Sequence, residues 1–118
     1  MANNRLGKIN AEMQKNIYEV LSTKVKDPRL TEMFTVTGVS VDKELTAAKV
    51  FVSIFSSDEK KAKDTFDAIV NSANFVRSCL YKMMRIRTVP QLTFYRDEAN
   101  DYGQRIDEIL DSLNIVKD

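Results

Sequence analysis

Between Phe75 and Pro90 the chain carries four basic residues, Arg77, Lys82, Arg85 and Arg87, and no acid. An ordinary exposed helix sets acids three or four positions from its cations, where the two can pair. Placed on a helical wheel at ~100° per residue, Phe75, Val76, Cys79, Leu80, Met83 and Met84 fall in one half. Arg77, Ser78, Tyr81, Lys82 and Arg85 fall in the other. A guanidinium fork matches phosphate oxygens, and a tyrosine set among such forks can stack on an unpaired base. The chemistry on offer is the gripping of a single-stranded polyanion. Arginine is also the preferred residue of protein ion pairs, so the same face suits an acidic partner of an interaction or oligomerisation module.

Lys24, Lys26 and Arg29 form a second basic cluster around Pro28, and Arg5 and Lys8 stand at the start of the chain. These extend the first surface if the fold brings them beside it, with Asp27 neutralising part of the turn. Lys60, Lys61 and Lys63 sit among Asp58, Glu59 and Asp64, where local pairing accounts for them. Catalysis finds little to work with. The chain has no histidine, which removes the usual general base near neutral pH and every Ser/His or Cys/His pair. Its one cysteine, Cys79, falls on an apolar helix face and reads as a small core residue; alone it can make neither a disulfide nor a zinc or iron site. The adjacent acids Asp97-Glu98 and Asp107-Glu108 lack a third oxygen donor at calcium-loop spacing. Gly7, Gly38 and Gly103 are too far apart for any phosphate-cradling loop. No catalytic residue, metal or cofactor is expected.

The net charge of +1 conceals an asymmetry. Residues 1–96 hold 16 Lys and Arg against 10 acids, and residues 97–118 hold 2 against 7. A basic body with an acidic tail hints at nucleic-acid contact, because clustered cations displace counterions from a phosphate backbone. At 118 residues and 43% apolar content, one domain able to bury its own core is expected over 1–118. No stretch approaches the ~20 apolar residues of a membrane span, and no leader pattern opens the chain. A cytoplasmic, membrane-free protein is expected, and nothing in the sequence requires more than a monomer.

The elements that must position these residues follow from apolar spacing. Leu6, Ile9, Met13, Ile17, Val20 and Leu21 predict a helix over roughly 4–24, ended at Lys26-Asp27-Pro28 because the residue before proline is pushed out of the α region. Phe34 to Val41 reads as a strand whose alternation changes phase at Gly38, the mark of a bulge. Lys49 to Phe55, with Val50, Val52 and Ile54 on one side, reads as its antiparallel hairpin partner. Ser57 is expected to cap a second helix running to about Asn71, with Ala62, Phe66, Ile69 and Val70 at core spacing. Asn71, Ser72 and Asn74 are poor interior helix formers and mark a break, after which the cationic helix begins. Met13, Met33, Met83 and Met84 read as core filler. Gln91 to Arg96 alternates as a third strand, and Tyr102, Ile106, Ile109, Leu110 and Leu113 describe a final helix. The class is α+β, three strands covered on one face by helices.

Several blocks, taken together and in order, resemble the ribosome-binding factor A family from about Arg5 to Leu113. They are Lys26-Asp27-Pro28-Arg29-Leu30, Ala48-Lys49-Val50-Phe51-Val52-Ser53, Asn74-Phe75-Val76-Arg77-Ser78, Met84-Arg85-Ile86-Arg87, Val89-Pro90-Gln91-Leu92-Thr93-Phe94 and Asp101-Tyr102-Gly103-Gln104-Arg105-Ile106-Asp107. The resemblance implies a type II KH-like fold, with a core over about 5–96 and an acidic C-terminal helix and tail over about 99–118. In that fold a kink between two helices, Ala-x-Gly in the family, replaces the usual GXXG loop. Here the kink reads Ser72-Ala73-Asn74. Serine is small like alanine, and asparagine tolerates left-handed backbone well, so the kink is expected to persist. The resemblance further implies a non-enzymatic assembly factor. It would bind the 30S subunit and 16S rRNA, support late maturation of the 16S 5′ region, matter for growth in the cold, and leave with the help of a ribosome-associated GTPase. The RNA would then lie on Arg77, Ser78, Tyr81, Lys82, Arg85 and Arg87, with Lys24, Lys26, Arg29, Arg5 and Lys8 beside them.

Overall fold

The computed structural model describes residues 2–86 and 88–97, with side chains from Leu6 onward. Six elements follow in order: α1 (Ala2–Thr23), β1 (Met33–Val41), β2 (Ala47–Phe55), α2 (Glu59–Asn71), α3 (Ala73–Met83) and β3 (Gln91–Arg96). The expected C-terminal helix and acidic tail lie outside the described residues.

The heptad-like spacing in α1 puts Met13, Ile17, Val20 and Leu21 fully inside. The helix lies against β1, an edge strand of a sheet ordered β1-β2-β3. Its polar flank closes that edge: Gln14 Nε2 donates to the Val36 carbonyl at 2.9 Å, and Asn10 Oδ1 accepts from the Val41 amide at 3.1 Å. An edge so occupied offers less to a foreign strand. β1 and β2 pair antiparallel, and the register passes from Val36↔Val52 to Gly38↔Phe51, leaving Thr37 unmatched. The bulge falls where the alternation changes phase.

β3 returns parallel to β2, from Ala47↔Gln91 to Val52↔Arg96. A parallel neighbour needs a crossover, and α2 and α3 supply it. Ala48, Val50, Val52 and Ile54 face the helices together with Leu92 and Phe94, meeting Ile69, Val76, Leu80 and Met84. Each fully buried aliphatic side chain stabilises the fold by roughly 1.5–3 kcal/mol. That burial, and not intrinsic propensity, holds an 11-residue helix such as α3. The far side of the sheet exposes Lys49, Thr93 and Tyr95, with the Phe51 and Tyr95 rings stacked at 5.6 Å.

Four local expectations need correction. Asp58, not Ser57, caps α2: its carboxylate accepts from the Lys60 and Lys61 amides at 3.0 and 3.2 Å, serving both the unpaired amides and the positive end of the helix. Glu59 does not pair with the neighbouring lysines. It takes both ends of the Arg96 fork, at 2.6 and 3.0 Å, tying the end of β3 to the start of α2. Met33 is 75% exposed, and Val70 and Phe75 are nearly half exposed, where apolar spacing predicts core positions. Met33 has the opposite parity to buried Phe34 and Val36, so it faces the side of the sheet away from the helices. Val70 and Phe75 stand in the last turn of α2 and the first turn of α3, at the rims of the two helices' apolar faces, beside the bend.

That bend is made differently from the expected left-handed step. No residue of Ser72-Ala73-Asn74 has positive φ. Ser72 itself turns the chain, at φ −88° and ψ 2°, a conformation open to any residue. Its amide bonds the Ala68 and Ile69 carbonyls at the end of α2, and its buried hydroxyl donates to Ile69 O at 2.7 Å. Asn74 already belongs to α3. An asparagine can therefore stand where glycine is usual without strain.

Candidate nucleic-acid interface

α3 projects Asn74, Arg77, Ser78, Tyr81 and Lys82 along one stripe from its first turn to its last, the spacing of three and four that aligns side chains on a helix. With Thr88 and Val89 they line a hollow of about 570 Å³. Tyr81 is 63% exposed there, a large ring left to solvent. Lys82 and Arg85 are exposed and have no ion pair among the described residues. Four residues singled out from sequence, Arg77, Ser78, Tyr81 and Lys82, thus share one concavity with the kink residue Asn74.

Arg77 departs from its expected role on the open cationic side. It is half-buried, its Nε donates to Pro90 O at 3.1 Å and a terminal nitrogen donates to Val89 O at 2.9 Å. The chain before β3 presents two carbonyls whose spacing suits the guanidinium fork, so the side chain clamps α3 to that segment. Its charge remains at the wall of the hollow, because its partners are neutral.

A second hollow, of about 410 Å³, opens on the other side of the junction between Lys24, Val25, Lys26 and Asp27 and the α2–α3 residues Ala68, Asn71, Ser72 and Phe75. Lys24 and Lys26 are exposed and make no ion pair among the described residues. Arg29 is not free in the same way. Its Nε and a terminal nitrogen bond the two Asp27 oxygens at 3.2 and 3.0 Å, while its own amide bonds Asp27 Oδ1 at 2.9 Å. The side-chain hydrogen bond from Arg29, helped by the amide, holds the Asp27 carboxyl below the usual aspartate range. The same bond, with Asp67 and Asp64 nearby, raises the Arg29 pKa. Proximity of two residues in a tight turn decides the pairing. Thr65, fully buried on α2, pins the segment that follows: its hydroxyl donates to Arg29 O at 3.2 Å and accepts the Glu32 amide at 3.2 Å.

Lys8 is exposed on α1 and lines neither hollow. Arg87 and the side chain of Arg5 lie outside the described residues. Sequence reasoning missed Phe75 as a surface residue; its place immediately after the break, in the first turn of a new helix, was the available signal. Among the described residues no cluster of His, Cys, Asp or Glu could hold a metal ion, and no helix is long and apolar enough to cross a membrane.

A helix, an antiparallel hairpin, two helices meeting at a bend and a strand returning parallel to the hairpin define a domain of the type II KH-like class. Within that class the chain belongs to the ribosome-binding factor A family, whose profile matches residues 5–110. Ribosome-binding factor A of Clostridium beijerinckii is 39% identical over 114 residues, covering 97% of each chain. The crystal structure of ribosome-binding factor A from Thermus thermophilus superposes with a TM-score of 0.66 at 23% identity, covering 77% of this chain and 93% of that one. A homology model of the Thermus thermophilus factor, fitted into a cryo-EM map of a 30S complex, superposes with a TM-score of 0.59 at 24% identity, over 73% and 88% of the two chains.

Proposed function

We propose that this protein is a non-enzymatic ribosome assembly factor that binds the 30S subunit by gripping 16S rRNA on the α3 face. In this reading it supports late maturation of the 16S 5′ region. Binding favours one arrangement of the rRNA and delays use of the subunit until a ribosome-associated GTPase promotes departure, a step that matters most in the cold. The chain acts as one cytoplasmic domain over 1–118, as a monomer and without a cofactor. The observation that carries the reading is the concavity where exposed Tyr81 lies beside Lys82, with Arg85 open to solvent close by. A base can stack on the ring, and the two cations are free to meet phosphates. Membership of the family, and a relative fitted into a 30S complex, support the choice of the small subunit as target.

Co-sedimentation with immature small subunits across a salt series tests this. Replacing both Lys82 and Arg85 by alanine should flatten the dependence of log affinity on log salt by about 1.4, at ~0.7 per single-strand phosphate. Tyr81→Ala should weaken binding by about 1–3 kcal/mol with little change in slope. Undiminished association of both variants would overturn the reading. A salt-insensitive response of the wild-type protein would instead favour a protein partner.

A further inference from the structure

We infer that the hollow between the Lys24–Asp27 turn and the α2–α3 junction is a second nucleotide subsite, taking one unpaired nucleotide of an RNA strand with its base against Phe75 and its phosphate on Lys24 and Lys26. The inference rests on the RNA-binding reading of the α3 face and extends it across the bend.

Three observations carry it. Phe75 is 48% exposed, although Val76 and Leu80 on the same helix are completely buried. Its ring and Val25 give the hollow an apolar wall, and exposed Asn71 adds an amide able to bond a base edge. At about 410 Å³ the hollow lies in the range that holds small organic groups. The charge is equally selective. Lys24 and Lys26 at the rim have no acid partner among the described residues, and the one acid in the lining, Asp27, is consumed by Arg29. An apolar floor under unopposed cations suits a flat base joined to a phosphate.

Placement supplies the third observation. Asn71, Ser72 and Phe75 line this hollow, whereas Asn74, Arg77 and Ser78 line the α3 hollow. The two linings alternate within residues 71–78, on and just after the bend, so a strand laid across it can reach both. Ser72 spends its hydroxyl on Ile69 O and gives α3 no side-chain cap, so nothing from that side chain shields the crossing.

Fluorescence anisotropy with a labelled oligouridine of ~10 nucleotides, a length in the range bound by single-strand-binding domains, tests the subsite on the full chain. Phe75→Leu keeps an apolar side chain and removes the stacking face, and should weaken binding roughly 5- to 100-fold. Phe75→Trp should retain it. Lys24→Ser with Lys26→Ser should flatten the salt slope by ~0.7 for one phosphate. Unchanged thermal melting of each variant separates binding from folding. A photo-cross-link from bromouridine-substituted oligonucleotide should map to the peptide containing Phe75. If Phe75→Leu binds like wild type while Tyr81→Ala is weakened, the subsite is refuted and the α3 reading survives. If neither variant is weakened, both fall. Loss of small-subunit association without loss of oligonucleotide binding assigns the hollow to a ribosomal protein and also refutes the proposal.

Discussion

The two basic regions flanking the α2–α3 junction each hold one engaged arginine and two open cations, yet they differ in what the arginine engages. On α3, Arg77 bonds backbone carbonyls of Val89 and Pro90, while Lys82, and Arg85 just past the end of the helix, stay free of ion pairs among the described residues. In the turn, Arg29 bonds the Asp27 carboxylate, while Lys24 and Lys26 stay free in the same sense. A carbonyl satisfies the fork without cancelling its charge; a carboxylate cancels it. The α3 face thus keeps the field of three cations although one of them is structural, and the turn keeps that of two. A guanidinium can be a clamp and a source of positive potential together, provided its acceptors are neutral.

The sharpest way to break this contrast is to remove the clamp. Arg77→Ala strips two charged hydrogen bonds from half-buried carbonyls and should lower unfolding free energy by about 2–3 kcal/mol in urea denaturation. Lys82→Ala should stay within about 0.5 kcal/mol. Arg77→Lys keeps the charge but has no fork, so it should restore the salt dependence of RNA binding far better than the stability. Equal stability losses at Arg77 and Lys82 would erase the distinction between clamp and open cation.

The turn has its own fixing point, and a smaller effect is expected there. Thr65→Val preserves shape and removes the hydroxyl that bonds both Glu32 N and Arg29 O. The abandoned amide should cost about 1–2 kcal/mol. Faster hydrogen exchange at the Glu32 amide should accompany it, because that amide loses its partner. The α3 salt response should not change. Unaltered exchange at Glu32 would show that the tether does not hold the turn.

The architecture was legible because its signals are local. The spacing of Met13, Ile17, Val20 and Leu21, the phase change beside Gly38 and the alternation of Leu92 and Phe94 each read out one element's own geometry. Such spacing leaves the direction of β3 open, since a strand runs parallel or antiparallel according to what the crossover helices pack against. The site was half legible. Tyr81 and Lys82 sit on the solvent side of their own helix, so a wheel finds them; Arg85 is exposed too, but past the end of α3 at Met83, where a wheel no longer applies. Arg77 lies on the same side, but its partners come from a segment 12 and 13 residues away in sequence, which no wheel contains. Phe75 failed for a different reason: at ~100° per residue it falls at the edge of the apolar half, ~100° from buried Val76 and ~140° from buried Leu80, and a wheel split into two halves counts such a rim position as core. Asp58 and Glu59 show the same limit, spent on backbone amides and on Arg96 where residue counting left them available for lysines.

The smallest expected effect is also the cleanest probe of the comparison. Asp27→Asn keeps Oδ1, hence the acceptor for the Arg29 amide, while removing the charge that cancels the guanidinium. The turn would then resemble α3, with an arginine bonded to a neutral acceptor. If potential is what the RNA reads, the salt slope should steepen by no more than ~0.7, and the added affinity at 50 mM relative to 200 mM salt should be only about 2- to 3-fold. Acid does not substitute for the mutation under ordinary conditions: Arg29 holds the Asp27 carboxyl below 3.8, so the ion pair's contribution persists above that value and is lost only as pH falls through the lowered one. No equivalent substitution exists at Arg77, whose acceptors belong to the backbone. An unchanged slope for Asp27→Asn, with the α3 double variant still flattened, would mean that the RNA does not reach the turn and that its lysines serve only solubility.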